Sequence, residues 1–481
     1  MAYAFLILPF FALLLANLMP RRLRAPIAFG LTLALLLAQT AAALVVLFSG
    51  AGGAAGAAAL AVPASPPPGA PIEALLGFRL HLDLWSLLAI LSAGVVGAGV
   101  LPVGWSTTRG EGRRVTFSSL LLINLMGING VALATDLFSL YVFIEVISVS
   151  TYVLIAMGGE GDAIEGAFKY LVLSGVATAL LLGGIALLVL SEGDLSFASL
   201  ARAAGKGGGV GRLGVILFAA GLLTKGGFVP FHWWVPDAYT GAPTAVSALM
   251  AGIATKASGT FGIVRVALAL AQGGGTMREA LIGVGILSIV VGAFAGLAQR
   301  DTKRMLAYSS VSQVGYIVAG LGAGNLLGLL GAALHFLAHA VCTSQLFGNV
   351  ASVERATGSS GLDRPGGIGK GMPITEGTSV LASLSIAGLP PLSGFWSKLL
   401  VVIALWQTGH QGYAVTAVVA SLLTLAYFIG WQRRTFWAKP DPALPPAVEK
   451  GAAFLLPAIA LSVINVGIGL GSPFIIGLFV R

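Results

Sequence analysis

Six ionisable residues, Glu145, Lys225, Lys256, His335, His339 and Lys398, lie inside long apolar runs. A charge at the centre of a bilayer costs at least about 2.5–3.5 kcal/mol on insertion scales, so a lipid-facing chain would not keep one there. An acid and a lysine in contact change each other's proton affinity. A lysine that answers to a movable carboxylate can therefore take up and release a proton. Glu145 sits mid-run in DLFSLYVFIEVISVSTYVLIA, with Lys225 and Lys256 as its natural partners. A structural reading stands beside this one: the hydroxyls of Ser148, Ser150 and Thr151 could satisfy Glu145, and Lys256 could form a static salt bridge. His335 and His339 are four apart, on one helix face. They read as a titrating relay, as a metal or haem pair lacking further ligands, or as a static hydrogen-bonded pair. Lys398 reads as the end of a second half-channel or as the partner of a neighbouring subunit. Lys169, near the start of its run, is a snorkelling residue or a relay member. His232 and Asp237, in PFHWWVPDAYTGAP, either fix their loop or admit protons at the cytoplasmic end.

The elements that must position these groups are interrupted helices. Lys225 precedes Pro230, and Pro236 and Pro243 follow. A proline in a membrane helix frees backbone groups, which are tolerated where protein or water satisfies them. A lysine just before such a break suggests a helix interrupted around a buried, hydrated charge. The pattern returns in LASLSIAGLPPLSGFWSKLL, where Pro390 and Pro391 precede Lys398. Two proline-broken helices, each with a lysine and about 160 residues apart, point to an internal repeat with a site in each half. Residues 225–236 and 388–396 are therefore expected to be non-helical or bent.

The composition agrees. The 481 residues are 57% hydrophobic and 9% charged, with a mean hydropathy of +0.94; soluble domains carry about 25% charged residues. This is the composition of an all-α polytopic membrane protein. On a ruler of about 20 apolar residues per crossing, fourteen spans are expected, with long loops at 51–80 and 351–372. The first 22 residues read as a retained span and not as a signal peptide. Sixteen Lys and Arg fall in one set of alternate loops, six in the other set with the C-terminus, and five within spans. The positive-inside rule then puts both termini on the outer face. The net charge of +9 is explained by this topology, and nucleic acid is not an expected partner. Cys342 is the single cysteine, which excludes an intramolecular disulfide and a cysteine-ligated cluster held by this chain alone. Most of the 67 glycines read as close helix packing.

The stretch TKGGFVPFHWWVPDAYTGAPTAVSALMAGIATKASGTFGIVRV resembles the core motif of the antiporter-like subunits of respiratory complex I. The same family includes membrane-bound nickel–iron hydrogenases, formate hydrogenlyases and Mrp Na+/H+ antiporters. DLFSLYVFIEV, AQRDTKRMLAYSSVSQVGY, HFLAHA and AGLPPLSGFWSKLL match further family motifs in order, so the resemblance covers roughly residues 80 to 440. It implies about 14 transmembrane helices with two inverted five-helix repeats, each containing a proline-broken helix. The divisions are then 1–110 (helices 1–3 and the extended loop), 111–271 and 272–440 (the two repeats), and 441–481 (the last helix). It also implies proton translocation by Glu145 with Lys225, a central relay of Lys256 with His335 and His339, and Lys398 as the exit-side lysine. No cofactor or metal site is implied on this chain. The implied setting is a bacterial or archaeal cytoplasmic membrane, among other membrane subunits that include further antiporter-like ones.

Subtype is read from detail. NGVALATDLFSLYVFIEV looks more like Mrp D-type and hydrogenase-type subunits, and the length is too short for the long lateral helix of the largest complex I subunit of this type. One departure matters: the family's HALFKALLF is here His339-Ala-Val-Cys-Thr343-Ser-Gln345. With Thr343 in place of lysine, either the relay runs through the histidines and water or the second half is impaired. Three functions compete: a proton-translocating subunit of a redox-driven complex, an Mrp D-type Na+/H+ antiporter subunit without redox partners, and a haem or metal enzyme built on the two histidines. The cargo is H+, with Na+ as the alternative.

Overall fold

The computed structural model describes residues 2–50, 80–159, 161–205, 209–270, 275–361, 366–440 and 446–480. The expected 51–80 loop lies outside the described residues except for Leu80. Seventeen α-helices are present among the described residues: α1 (Ala2–Leu18), α2 (Arg21–Gly50), α3 (Leu84–Thr107), α4 (Glu111–Leu133), α5 (Leu137–Ala156), α6 (Gly161–Glu192), α7 (Phe197–Gly205), α8 (Gly209–Gly226) and α9 (Trp234–Gly241), then α10 (Thr244–Leu270), then α11 (Gly275–Leu297), α12 (Thr302–Ala323), α13 (Leu326–Thr357), α14 (Pro373–Ala387), α15 (Ser393–Gln407), α16 (Gln411–Thr435) and α17 (Ala452–Val480). Eleven of them are long and apolar enough to cross a membrane. The chain is an all-helical, multi-pass integral membrane protein.

Both proline breaks are real and shorter than expected. Helix α8 continues through Lys225 and stops at Gly226; Gly227 turns left-handed at φ 69°, and α9 begins at Trp234. Helix α14 stops at Ala387; Gly388 turns at φ 88°, and α15 begins at Ser393. Only glycine adopts these positive φ values without strain, which is why each helix ends where it does. The helices resume early because Pro236 sits in the first turn of α9, where no intrahelical donor is needed. Beyond Pro391 nothing opposes helix. Lys225 closes the first arm of its broken helix, whereas Lys398 lies on the second arm of its own.

Two contacts recur at one offset. Asp136 caps α5 by accepting from the Ser139 amide at 2.8 Å, and Asp301 caps α12 by accepting from the Arg304 amide at 2.9 Å. Leu137 N donates to Leu195 O at 2.9 Å, and Thr302 N donates to Ser360 O at 3.2 Å. The offset is 165 in both cases (136 to 301, 195 to 360).

Helix α10 was expected as one regular span. It contains two π-helical stretches instead, Met250–Ala254 and Lys256–Phe261. Such bulges are uncommon and often lie at functional sites. Gly259 on this stretch packs directly against the end of α8: a Cβ there would overlap the Gly226 backbone.

Candidate functional site

Helix α5 presents Glu145 toward α6 and α8. Lys225 Nζ donates to Glu145 Oε1 at 2.8 Å, to Ser148 Oγ at 2.8 Å and to Ser174 Oγ at 2.6 Å. Thr178 Oγ1 donates to the same Glu145 oxygen at 2.7 Å. Lys225 is 2% exposed, while the Glu145 side chain keeps 27% of its surface. One partner is thus enclosed and the other can be reached. Ser150 and Thr151, offered above as partners of Glu145, instead accept from Asn124 at 2.9 Å each. Ser174 and Thr178 were not singled out from the sequence. They are the two polar residues of 171–190, four apart, and that spacing was the available signal.

Lys256 is buried in the π-helical stretch. Its ammonium donates to the carbonyls of Ala251 and, at 2.7 Å, Gly252. Among the described residues no carboxylate lies within ion-pairing distance of it, so the static salt bridge is absent there. Lys256 and His339 line one cavity of about 10 Å3, beside Gly226, Tyr239 and Ser310. That is the lower limit for one water.

His335 and His339 are both 1% exposed, on α13. Their rings are parallel within 11°, with centroids 6.1 Å apart. His335 Nδ1 bonds Ser397 Oγ at 2.8 Å. Among the described residues His335 Nε2 and both nitrogens of His339 have no hydrogen-bond partner. Gln313, fully buried on α12, has a side-chain amide without a partner among the described residues and was not foreseen. Lys398 donates to Ser421 Oγ at 3.0 Å. Its Nζ lies 4.5 Å from the centroid of the Tyr316 ring, which stabilises a cation on its face. Thr343 is buried on α13.

Lys169 and Asp237 belong together. Asp237 takes Lys169 at 2.8 Å on one oxygen and Arg304 at 2.7 Å on the other. Glu165 adds a second carboxylate to Lys169 at 2.6 Å. Asp237, between α8 and α10, is pulled upward in pKa by burial, but the hydrogen bonds and charges of Lys169 and Arg304 outweigh that and hold it below the ordinary range. His232 is buried against Trp233, ring centroids 4.8 Å apart, with Nδ1 unpartnered among the described residues. Arg265 pairs with Asp83 and donates to Ala132 O at 2.9 Å.

A multi-pass bundle with broken helices and a line of buried lysines and histidines defines an ion-handling, antiporter-like membrane subunit. The chain belongs to the family described as NADH:quinone oxidoreductase/Mrp antiporter, whose pattern it matches over residues 134–424. It is 34% identical to NADH-quinone oxidoreductase subunit N of Desulforudis audaxviator, over 98% of this chain and 94% of that one. It is 32% identical to the D-type subunit of the Na(+)/H(+) antiporter of Alkalihalophilus pseudofirmus, over 82% and 81%. Its fold matches a chain of the Mrp complex from Dietzia sp. with a TM-score of 0.87, at 24% identity, over 99% and 96%. Both relatives are named as subunits, and the matched fold is that of a chain in a complex.

Proposed function

We propose that the chain translocates protons as one subunit of a redox-driven membrane complex. The contact that carries this reading is Glu145–Lys225, an ion pair between α5 and α8 beside a helix break. As the carboxylate moves, the enclosed lysine holds or releases its proton. From Lys225 the relay runs by Lys256, His339 and His335 to Lys398, with water carrying the proton between side chains. His232, Asp237 and Lys169 lie toward the uptake side. No redox chemistry falls to this chain in this reading.

The recurrence at offset 165 supports two five-helix units, 111–271 and 272–440, related as inverted repeats in a fold of fourteen spans. The sixteen-to-six partition of Lys and Arg supports a bacterial or archaeal cytoplasmic membrane with both termini outside. The relative named as a quinone-oxidoreductase subunit aligns over nearly the whole chain and favours the redox-driven setting. The relative named as a Na(+)/H(+) antiporter subunit favours a second reading, an Mrp D-type role. The test is proton uptake by the complex reconstituted in vesicles. Uptake driven by electron transfer and independent of Na+ supports the first reading. Na+-coupled exchange without electron transfer supports the second.

A further inference from the structure

Below the two histidines, α13 carries a second polar stripe that the relay does not use. Cys342, Gln345, Asn349 and Ser352 follow one another at steps of three and four, so they share one helix face, which begins one step of three beyond His339. All are buried. Hydroxyls of the helices packed on that face continue the stripe. Ser352 and Thr375 lie 3.4 Å apart, Asn349 donates to Thr378 Oγ1 at 3.1 Å, and Gln345 donates to Ser462 Oγ at 2.6 Å. Nearer the α14–α15 break, Ser385 and Ser393 both donate to Asn465 Oδ1, at 2.9 and 2.6 Å. The far end is a carboxylate: Glu449 Oε2 accepts from Thr375 Oγ1 at 2.8 Å.

Burying this many polar groups costs free energy unless each is satisfied, and apolar side chains would pack α13 at less cost. Among the described residues Gln345 Oε1 and Asn465 Nδ2 have no hydrogen-bond partner, nor has the buried hydroxyl of Ser379 on α14, and both ring nitrogens of His339 are likewise unpartnered. One cavity of about 10 Å3 lies on the stripe, beside Gln345 and Asn349, and a second of about 10 Å3 lies at His339, on the side that Lys256 and Ser310 line. Each has the minimum volume for a water and polar groups to hold it.

We infer that this column is a second, uncharged access lane, in which water and hydroxyl groups conduct protons between the Glu449 end and His339. It rests on the proton-translocating reading and adds a route that does not pass Glu145. It also gives Ser344 and Gln345 a use: they line the cavity beside Asn349 with groups that hold water.

Two measurements on the reconstituted complex test it. The first is labelling of Asn349→Cys, in a Cys342→Ala background, by a small charged thiosulfonate, read on this chain by mass spectrometry. The second is proton uptake by Gln345→Leu, with Asn349→Leu as an independent block, each checked for assembly. The lane predicts labelling from the Glu449 side and a fall in uptake of about tenfold in an assembled leucine variant. An unlabelled cysteine, or labelling with wild-type uptake in the leucine variants, overturns it. The two proposals fail separately. If Glu145→Gln stops uptake while both leucine variants pump normally, the lane is wrong and the main reading stands. If the leucine variants stop uptake while Glu145→Gln does not, the lane stands and the Glu145 pairing falls.

Discussion

Lys225 and Glu145 meet at 2.8 Å, with Lys225 enclosed and Glu145 partly open at the surface of the bundle. The asymmetry suits a switch: the open partner can move, and the enclosed one must respond. Glu145→Gln removes the charge and keeps the shape. Proton uptake should fall at least tenfold while the assembled complex keeps its subunits. Normal uptake by this variant would remove the pairing from the mechanism.

His339 lies in the cavity that Lys256 also lines, with neither ring nitrogen bonded. A hydroxyl at position 343 can hold water but carries no charge at neutral pH, whereas histidine can. His339→Ala should therefore lower proton uptake more here than in relatives that keep the family lysine. Thr343→Lys in that background should restore part of the loss. If His335→Ala with His339→Ala pumps normally while Glu145→Gln does not, the second half is not a working channel.

Gly259 is the contact that brings Lys256 toward the end of α8. A Cβ at this position would overlap the backbone of Gly226, and backbone cannot rotate away. Gly259→Ala should destabilise by about 1–3 kcal/mol, the usual cost of overpacking. Thermal unfolding of the purified chain in detergent measures this, and an unchanged midpoint would show that α8 and α10 can separate freely.

Asp237 ties α6 to α12 through Lys169 and Arg304. Its carboxyl titrates lower in the folded chain than in the unfolded one. The stabilisation is therefore present above the ordinary carboxylate range and is lost as pH falls through the depressed value. Asp237→Asn should flatten the acid side of the stability profile. The effect is small, because Lys169 and Arg304 are about 40% exposed and screened by solvent. A variant with the wild-type acid profile would assign the acid sensitivity elsewhere.

The sequence alone determined the membrane class, the two helix breaks and the identity of the charged residues. These follow from local physics: apolar composition, the missing amide of Pro230, Pro390 and Pro391, and the cost of a charge in lipid. It also narrowed the partners of Glu145, since Lys225 was one of two nearby lysines in apolar runs. Only the tertiary structure decided which face each side chain takes. Hydropathy reports that a residue is buried but not toward which helix. Ser174 and Thr178 complete the Glu145–Lys225 site because α6 packs between α5 and α8. Lys256 reaches carbonyls and not a carboxylate because α10 loosens into π-helical turns against Gly226. Asp237 binds both Lys169 and Arg304, residues 68 and 67 positions away. Contacts at such separations are set by how helices close on one another, and small residues such as Gly226 and Gly259 set that distance.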